Sequence, residues 1–89
     1  MNKCPKIGTR VKTKPAHRFG ELTGTVVAVY PTHDDKWDEA TDEVTPGPLQ
    51  AEREWHVSVK VDVLPANWSY PGTDRFAPEV SELIKAVMS

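Results

Sequence analysis

From Trp55 to Val63 the chain reads WHVSVKVDV, with Trp55, Val57, Val59, Val61 and Val63 alternating against His56, Ser58, Lys60 and Asp62. A strand sends successive side chains to opposite faces, so a strict period of two marks a strand with one face in the core and one in water. Valine at every second position also suits extended backbone better than helix. A chain organised around this segment is a β protein, and the valine face is expected to be core.

Two further segments read as strands. Ile7, Thr9, Val11 and Thr13 alternate with Gly8, Arg10, Lys12 and Lys14 as far as Pro15, which has no amide proton to give a ladder. Leu22 to Tyr30 is apolar on both faces around Val26, Val27 and Val29, as expected of a long strand that bends to serve two sides of a small barrel, with Gly24 the expected site of the bend or bulge. Between them, PAHRFGE reads as a return loop in which Gly20 takes a positive φ. Pro65, Pro71 and Gly72 break LPANWSYPGT into turns, a short strand is expected at Asp74 to Ala77, and Pro78 to Ser81 is expected to form one tight helical turn. The tail APEVSELIKAV fits a closing strand or an amphipathic helix from Pro78 with Val80, Leu83, Ile84 and Val87 on one side. Closure of a barrel favours the strand.

Residues 31 to 54, PTHDDKWDEATDEVTPGPLQAERE, hold no sustained period, although Asp38 to Val44 suits one short helical turn. The segment is otherwise expected to be a long acidic loop, and loops longer than about 12 to 15 residues tend to be functional or disordered.

Laid end to end, IGTRVKTK, GELTGTVVAVY, WHVSVKVD and RFAPEVSELIKAV resemble the small Src-homology-3-like barrel of KOW-type and related modules. A G-x-x-V opening strand meets a G-x-V-x-x-V second strand and a V-x-V-x-V-D third, and F-x-P-x-x-x-x-L sets a short turn before the last strand. The resemblance implies a single all-β domain over residues 1–89. Its form would be a five-stranded, partly open barrel with a long loop between the second and third strands and a 3-10 turn before the last. A four-stranded sheet with a C-terminal helix, an α+β layout, is the alternative. Many functions sit on this fold, so the residues themselves must carry any functional reading.

At 89 residues the chain has interior for one core, and 38% hydrophobic with 27% charged residues is the balance of a globular protein. No apolar run approaches the roughly 20 residues of a membrane span. The opening MNKCPKIGTR lacks the apolar stretch of a signal peptide, so a cytoplasmic location is expected. Cys4 is the only cysteine, which excludes an internal disulfide and a thiolate-rich zinc site.

The net charge of −2 conceals a strong asymmetry. Lys3, Lys6, Arg10, Lys12, Lys14 and Arg18 all precede the first acid, Glu21, whereas Asp34, Asp35, Asp38, Glu39, Asp42 and Glu43 crowd ten residues relieved only by Lys36. Two candidate surfaces follow. The first is a partner-binding surface made of Asp34, Asp35 and Asp38 around Trp37, a residue type frequent among interface anchors, with Trp68 and Tyr70 of NWSYPG counted with it, a pair whose competing roles are to cap the open end of the barrel or to stack bases in the nucleic-acid alternative. The second is a nucleic-acid surface of Arg10, Lys12, Lys14, Arg18 and Phe19, in which alternate cations of one strand stand about 6.6 Å apart. Two blander roles compete for the acidic loop: to neutralise this basic strand by lying against it, or merely to solvate itself.

His33, Asp34, Asp35 and Asp38 lack the glycine and ligand spacing of an EF-hand loop. His17, His33 and His56 are scattered, no nucleophile stands at a telling spacing from a base, and G-E-L-T-G lacks the lysine and helix of a phosphate-binding loop. The expectation is a non-enzymatic binding module without cofactor or metal. A protein partner, or a place as accessory subunit of a larger complex, is favoured, because the chain as a whole is acidic. Weak, salt-sensitive nucleic-acid binding is the alternative.

Overall fold

The computed structural model describes residues 1–86, and in it the alternating segments form strands. β1 spans Arg10–Thr13, β2 Thr23–Tyr30, β3 Lys36–Asp38, β4 Glu43–Thr45, β5 His56–Val61, β6 Arg75–Phe76 and β7 Leu83–Lys85. Five of them make one antiparallel sheet in the order β6-β5-β2-β1-β7, and β3 with β4 makes a separate two-stranded ribbon. The protein is all-β. The tail forms β7 rather than a helix, with Ile84 opposite Lys12 and Leu83 opposite Thr13 of β1. Val87 of the helical alternative lies outside the described residues.

The core is the inward face of these strands: Val11, Val26, Val57, Val59, Val61, Phe76, Val80 and Leu83, extended by Phe19 and Leu22 from the β1–β2 loop. The sheet is not closed, since β6 and β7 stay its two edges. The chain between them nevertheless spans the opening. Val57 N–H donates to Pro78 O, Val80 N–H donates to Trp55 O, and three residues later Leu83 pairs with Thr13 of β1. A 3-10 turn at Val80–Glu82 makes this crossing, held by a capping box between Glu79 and Glu82. The turn expected from Pro78 therefore begins two residues later, because Pro78 serves as an acceptor for β5 and Glu79 as the cap.

Several expectations need correction. The third strand ends at Val61, and Val63 is 78% exposed; its alternation continues past the point where β2 can pair, as Asp62 N–H already donates to the Thr23 carbonyl at the start of β2. Ile7 is likewise 68% exposed, since Thr9 N–H turns back to Lys6 O and the strand begins only at Arg10. Gly20 does take a positive φ of 72°. Gly24 is not the bulge, which falls at Val27, between Val26 and Ala28 in the register with β5. A bulge shifts the side-chain alternation, and this explains an apolar run on both faces of β2. Gly24 is needed for another reason: a Cβ there would collide with the Lys60 carbonyl and Val59 Cγ1 across the strand pair.

The acidic segment is the largest departure. Asp38 to Val44 forms no helical turn; it is the tip of the β3–β4 hairpin, with Lys36 opposite Thr45, Trp37 opposite Val44 and Asp38 opposite Glu43. Below these strands lies a laced neck. Asp34 N–H donates to Pro48 O and Gln50 N–H to Thr32 O, Thr32 Oγ1 meets Gln50 Oε1 at 2.6 Å, and His33 bridges Leu49. At Gly47 the two neck segments come so close that a Cβ would overlap the backbone of Asp34.

Candidate functional site

The hairpin grows from the end of the β2–β5 pair, where Tyr30 faces His56. Every residue from His33 to Pro46 is exposed, so the arm touches little of the body, whose longest dimension with it is 51 Å. Cross-strand neighbours share a face, which puts Trp37 beside Val44, each 60% exposed. The reverse face carries Lys36, Asp38, Glu43 and Thr45. Large exposed apolar patches mark interaction surfaces, and the carboxylate that touches this pair is Asp42, at the Trp37 indole.

Part of the acidity is structural. Asp35 Oδ1 accepts Gly47 N–H at 2.9 Å, Asp38 Oδ1 accepts Ala40 N–H at 2.9 Å, and Asp42 Oδ1 accepts the Trp37 indole N–H at 2.9 Å. These three carboxylates shape the turn, as short acidic side chains do where backbone donors lack partners. Asp34, Glu39 and Glu43 make no side-chain hydrogen bond or ion pair among the described residues. His33, Asp34, Asp35 and Asp38 do not gather into a metal-holding group, and no such group occurs among the described residues.

The acidic arm does not cover the basic strand. Arg10 is instead held by Asp62 in a two-pronged ion pair, with a further bond from its Nη1 to Thr25 Oγ1 at 2.9 Å, and Lys12 reaches Glu21 at 3.2 Å. The Arg10 hydrogen bonds hold the Asp62 carboxyl below its ordinary range, and the same bonds raise the guanidinium. Both acids come from outside the acidic segment. Of the predicted strip, Lys14 and Arg18 remain exposed and without an ion pair among the described residues.

The loop aromatics form a lid. Trp68 packs against Phe19 at 5.3 Å between ring centroids, Phe76 at 5.9 Å and Tyr70 at 5.2 Å, and its indole N–H is shared between the Tyr70 and Thr73 carbonyls. Phe19 is buried beneath it, so its ring has no face left for a base. Arg18 lies over Phe19 and Tyr70, 4.5 and 5.5 Å from their centroids, and donates to Ser69 Oγ at 2.6 Å. His17 packs obliquely on Phe19, 5.7 Å between ring centroids, its Nδ1 accepting the Phe19 N–H. Trp68 thus packs against the core, unlike the exposed Trp37, while Tyr70 and Arg18 keep an open side.

A groove of about 380 Å³ runs between the β1–β2 loop and the segment after β5, lined by Phe19, Leu22, Val63 and Leu64 among others. Its two carboxylates, Glu21 and Asp62, are those already paired with Lys12 and Arg10. Cys4 is half-buried, and its thiol is pushed up by desolvation and by Glu52, the reverse of what activates a nucleophile. No helix among the described residues is long and apolar enough to cross a membrane.

Sequence reasoning missed one arrangement that only the register reveals. Arg10 faces Thr25, Thr25 faces Lys60, and Lys60 faces Arg75, which sets three cations in one row across four strands on the outward face. Lys60 and Arg75 are exposed and have no ion pair among the described residues. No known protein family, curated protein or solved structure matches the chain.

Proposed function

We propose that the protein is a cytoplasmic, non-enzymatic binding module on an Src-homology-3-like scaffold, and that its hairpin arm docks on a basic surface of another protein. The scaffold reading draws support from the strand order, in which the first strand lies between the second and the last, and from the 3-10 turn before the last strand. The observation that carries the functional reading is the Trp37–Val44 pair, apolar, exposed and touched by the Asp42 carboxylate on an arm that packs on nothing. Burying that pair would supply an apolar anchor, and the unpaired acids of the same arm would select a cationic rim and speed encounter.

A photo-reactive aromatic residue placed at position 37 tests this in cells. Protein adducts at position 37, lost on Val44→Ser and absent when the same residue replaces Lys6, are the expected result. No adduct at position 37, or equal adducts at both positions, would sink the reading.

Nucleic-acid binding through Arg10, Lys12, Lys14 and Arg18 is the second reading, favoured by the open Lys14 and Arg18. It is the weaker one, because Arg10 and Lys12 already hold Asp62 and Glu21, and phosphate affinity scales with uncompensated cations. Titration of labelled DNA and RNA at about 50 mM salt separates the two.

A further inference from the structure

The row Arg10, Thr25, Lys60 and Arg75 spans three inter-strand steps, about 14 Å of sheet face. In the hairpin, Asp38 and Glu43 stand one inter-strand step apart, about 5 Å, the same step that separates Lys60 from Arg75. The hairpin tip is electrically uncomfortable alone. Asp38 and Glu43 stand directly opposite each other, a like-charge pair that disfavours the ribbon unless a cation intervenes. Across the sheet, Lys60 and Arg75 have cationic charge and no ion pair among the described residues. The two surfaces cannot meet within one chain, because the row lies five residues down β2 from Tyr30, about 17 Å from the base of an arm that points away.

We propose that the cation row on the outward sheet face docks the acidic hairpin of a second copy of this chain. This rests on the hairpin being a protein-docking arm, and it names the partner as the chain itself. Lys60 and Arg75 would lie against Asp38 and Glu43, relieving the like-charge pair, while Trp37 and Val44, on the opposite face of the ribbon, stay outside this contact. The contact is head-to-tail, one copy's arm on the next copy's sheet, so association continues beyond a pair unless a ring closes. Being ionic and exposed, it is steeply salt-dependent.

Sedimentation velocity on the whole chain tests it, with two neutralised variants, Lys60→Gln with Arg75→Gln and Asp38→Asn with Glu43→Gln. Asn at 38 keeps the acceptor used by Ala40. At about 20 mM salt the wild-type mass should rise with concentration beyond that of a dimer, and at about 300 mM the association should weaken at least tenfold. Each variant alone should associate at least tenfold more weakly than the wild type. Their equimolar mixture should recover wild-type affinity yet stop at a dimer, since each partner keeps only one usable surface. A wild type that stays monomeric at low salt, or variants that associate like the wild type, would overturn the proposal. A monomeric wild type that binds a single-stranded DNA oligonucleotide through Lys60 and Arg75 would overturn it too and assign the row to nucleic acid. If the chain is monomeric while position 37 cross-links to a different protein, the docking arm stands and only self-docking falls.

Discussion

The indole of Trp37 donates to Asp42 across the tip of the hairpin, and Asp42 is the one described non-glycine residue with a positive φ, 54°. Aspartate and asparagine tolerate this region better than other side chains, and here the side chain also anchors the ring. Asp42→Asn should therefore leave the tip intact. Asp42→Ala loses both supports and should raise local opening by about 2 kcal/mol. Hydrogen exchange at the Trp37 indole N–H would report it, and because the arm is exposed throughout, the urea midpoint of the whole chain should not move.

Among the described residues Thr13 is the one buried polar side chain of the core, with its hydroxyl donating to Gly20 O at 2.5 Å and accepting Leu22 N–H at 2.8 Å. It ties the return loop to β1. Thr13→Val keeps the shape and strands both backbone groups, so a loss of about 1–3 kcal/mol is expected in urea unfolding. Thr13→Ser retains the hydroxyl and should lose about 1 kcal/mol, the value of one methyl.

Gly24 and Gly47 both stand where a Cβ would strike backbone, yet the consequences should differ. Gly24 lies in the sheet against β5, so Gly24→Ala should prevent folding or lower global stability by about 3 kcal/mol or more, consistent with overpacking a core. Gly47→Ala should spread the neck alone. Near-native unfolding together with lost amide protection at Asp34 and Gln50 would be its signature, and a large global loss would contradict the view of the arm as separate from the core.

Arg10 and Asp62 predict the acid limb of stability. The Asp62 carboxyl sits below its ordinary value of 3.8 because the guanidinium hydrogen-bonds its charged form. A carboxylate with a lowered folded pKa adds stability that is complete above the unfolded value and is lost as pH falls through the folded one. Wild type should thus lose stability below about pH 4 more steeply than Asp62→Asn, whose curve lacks this contribution. Urea midpoints from pH 2 to 5 would show whether the two curves converge.

β5 is legible in the sequence because its alternation runs long enough for period two to outlast chance, and β2 because its long β-branched run suits extended backbone although it is apolar on both faces. Val63 and Ile7 mislead for the same reason: alternation does not say where a partner strand stops. The hairpin is hidden because its strands hold three residues each, and its turn uses Asp42 where a glycine would have announced it. Arg10 and Lys12 look free when β1 is read along its length, whereas the acids that hold them, Asp62 and Glu21, come from other segments, as does the rest of the cross-strand row. Such pairings belong to register, which sequence spacing does not encode.

The laced neck has a kinetic meaning. With Thr32 tied to Gln50 and Gly47 pressed on Asp34, the arm holds its direction before anything arrives, so most of the ordering entropy is lost during folding and little during encounter. In the docking role proposed for it, such an arm would capture on collision, and the lifetime of the contact would be governed by Trp37 and Val44 rather than by a folding step.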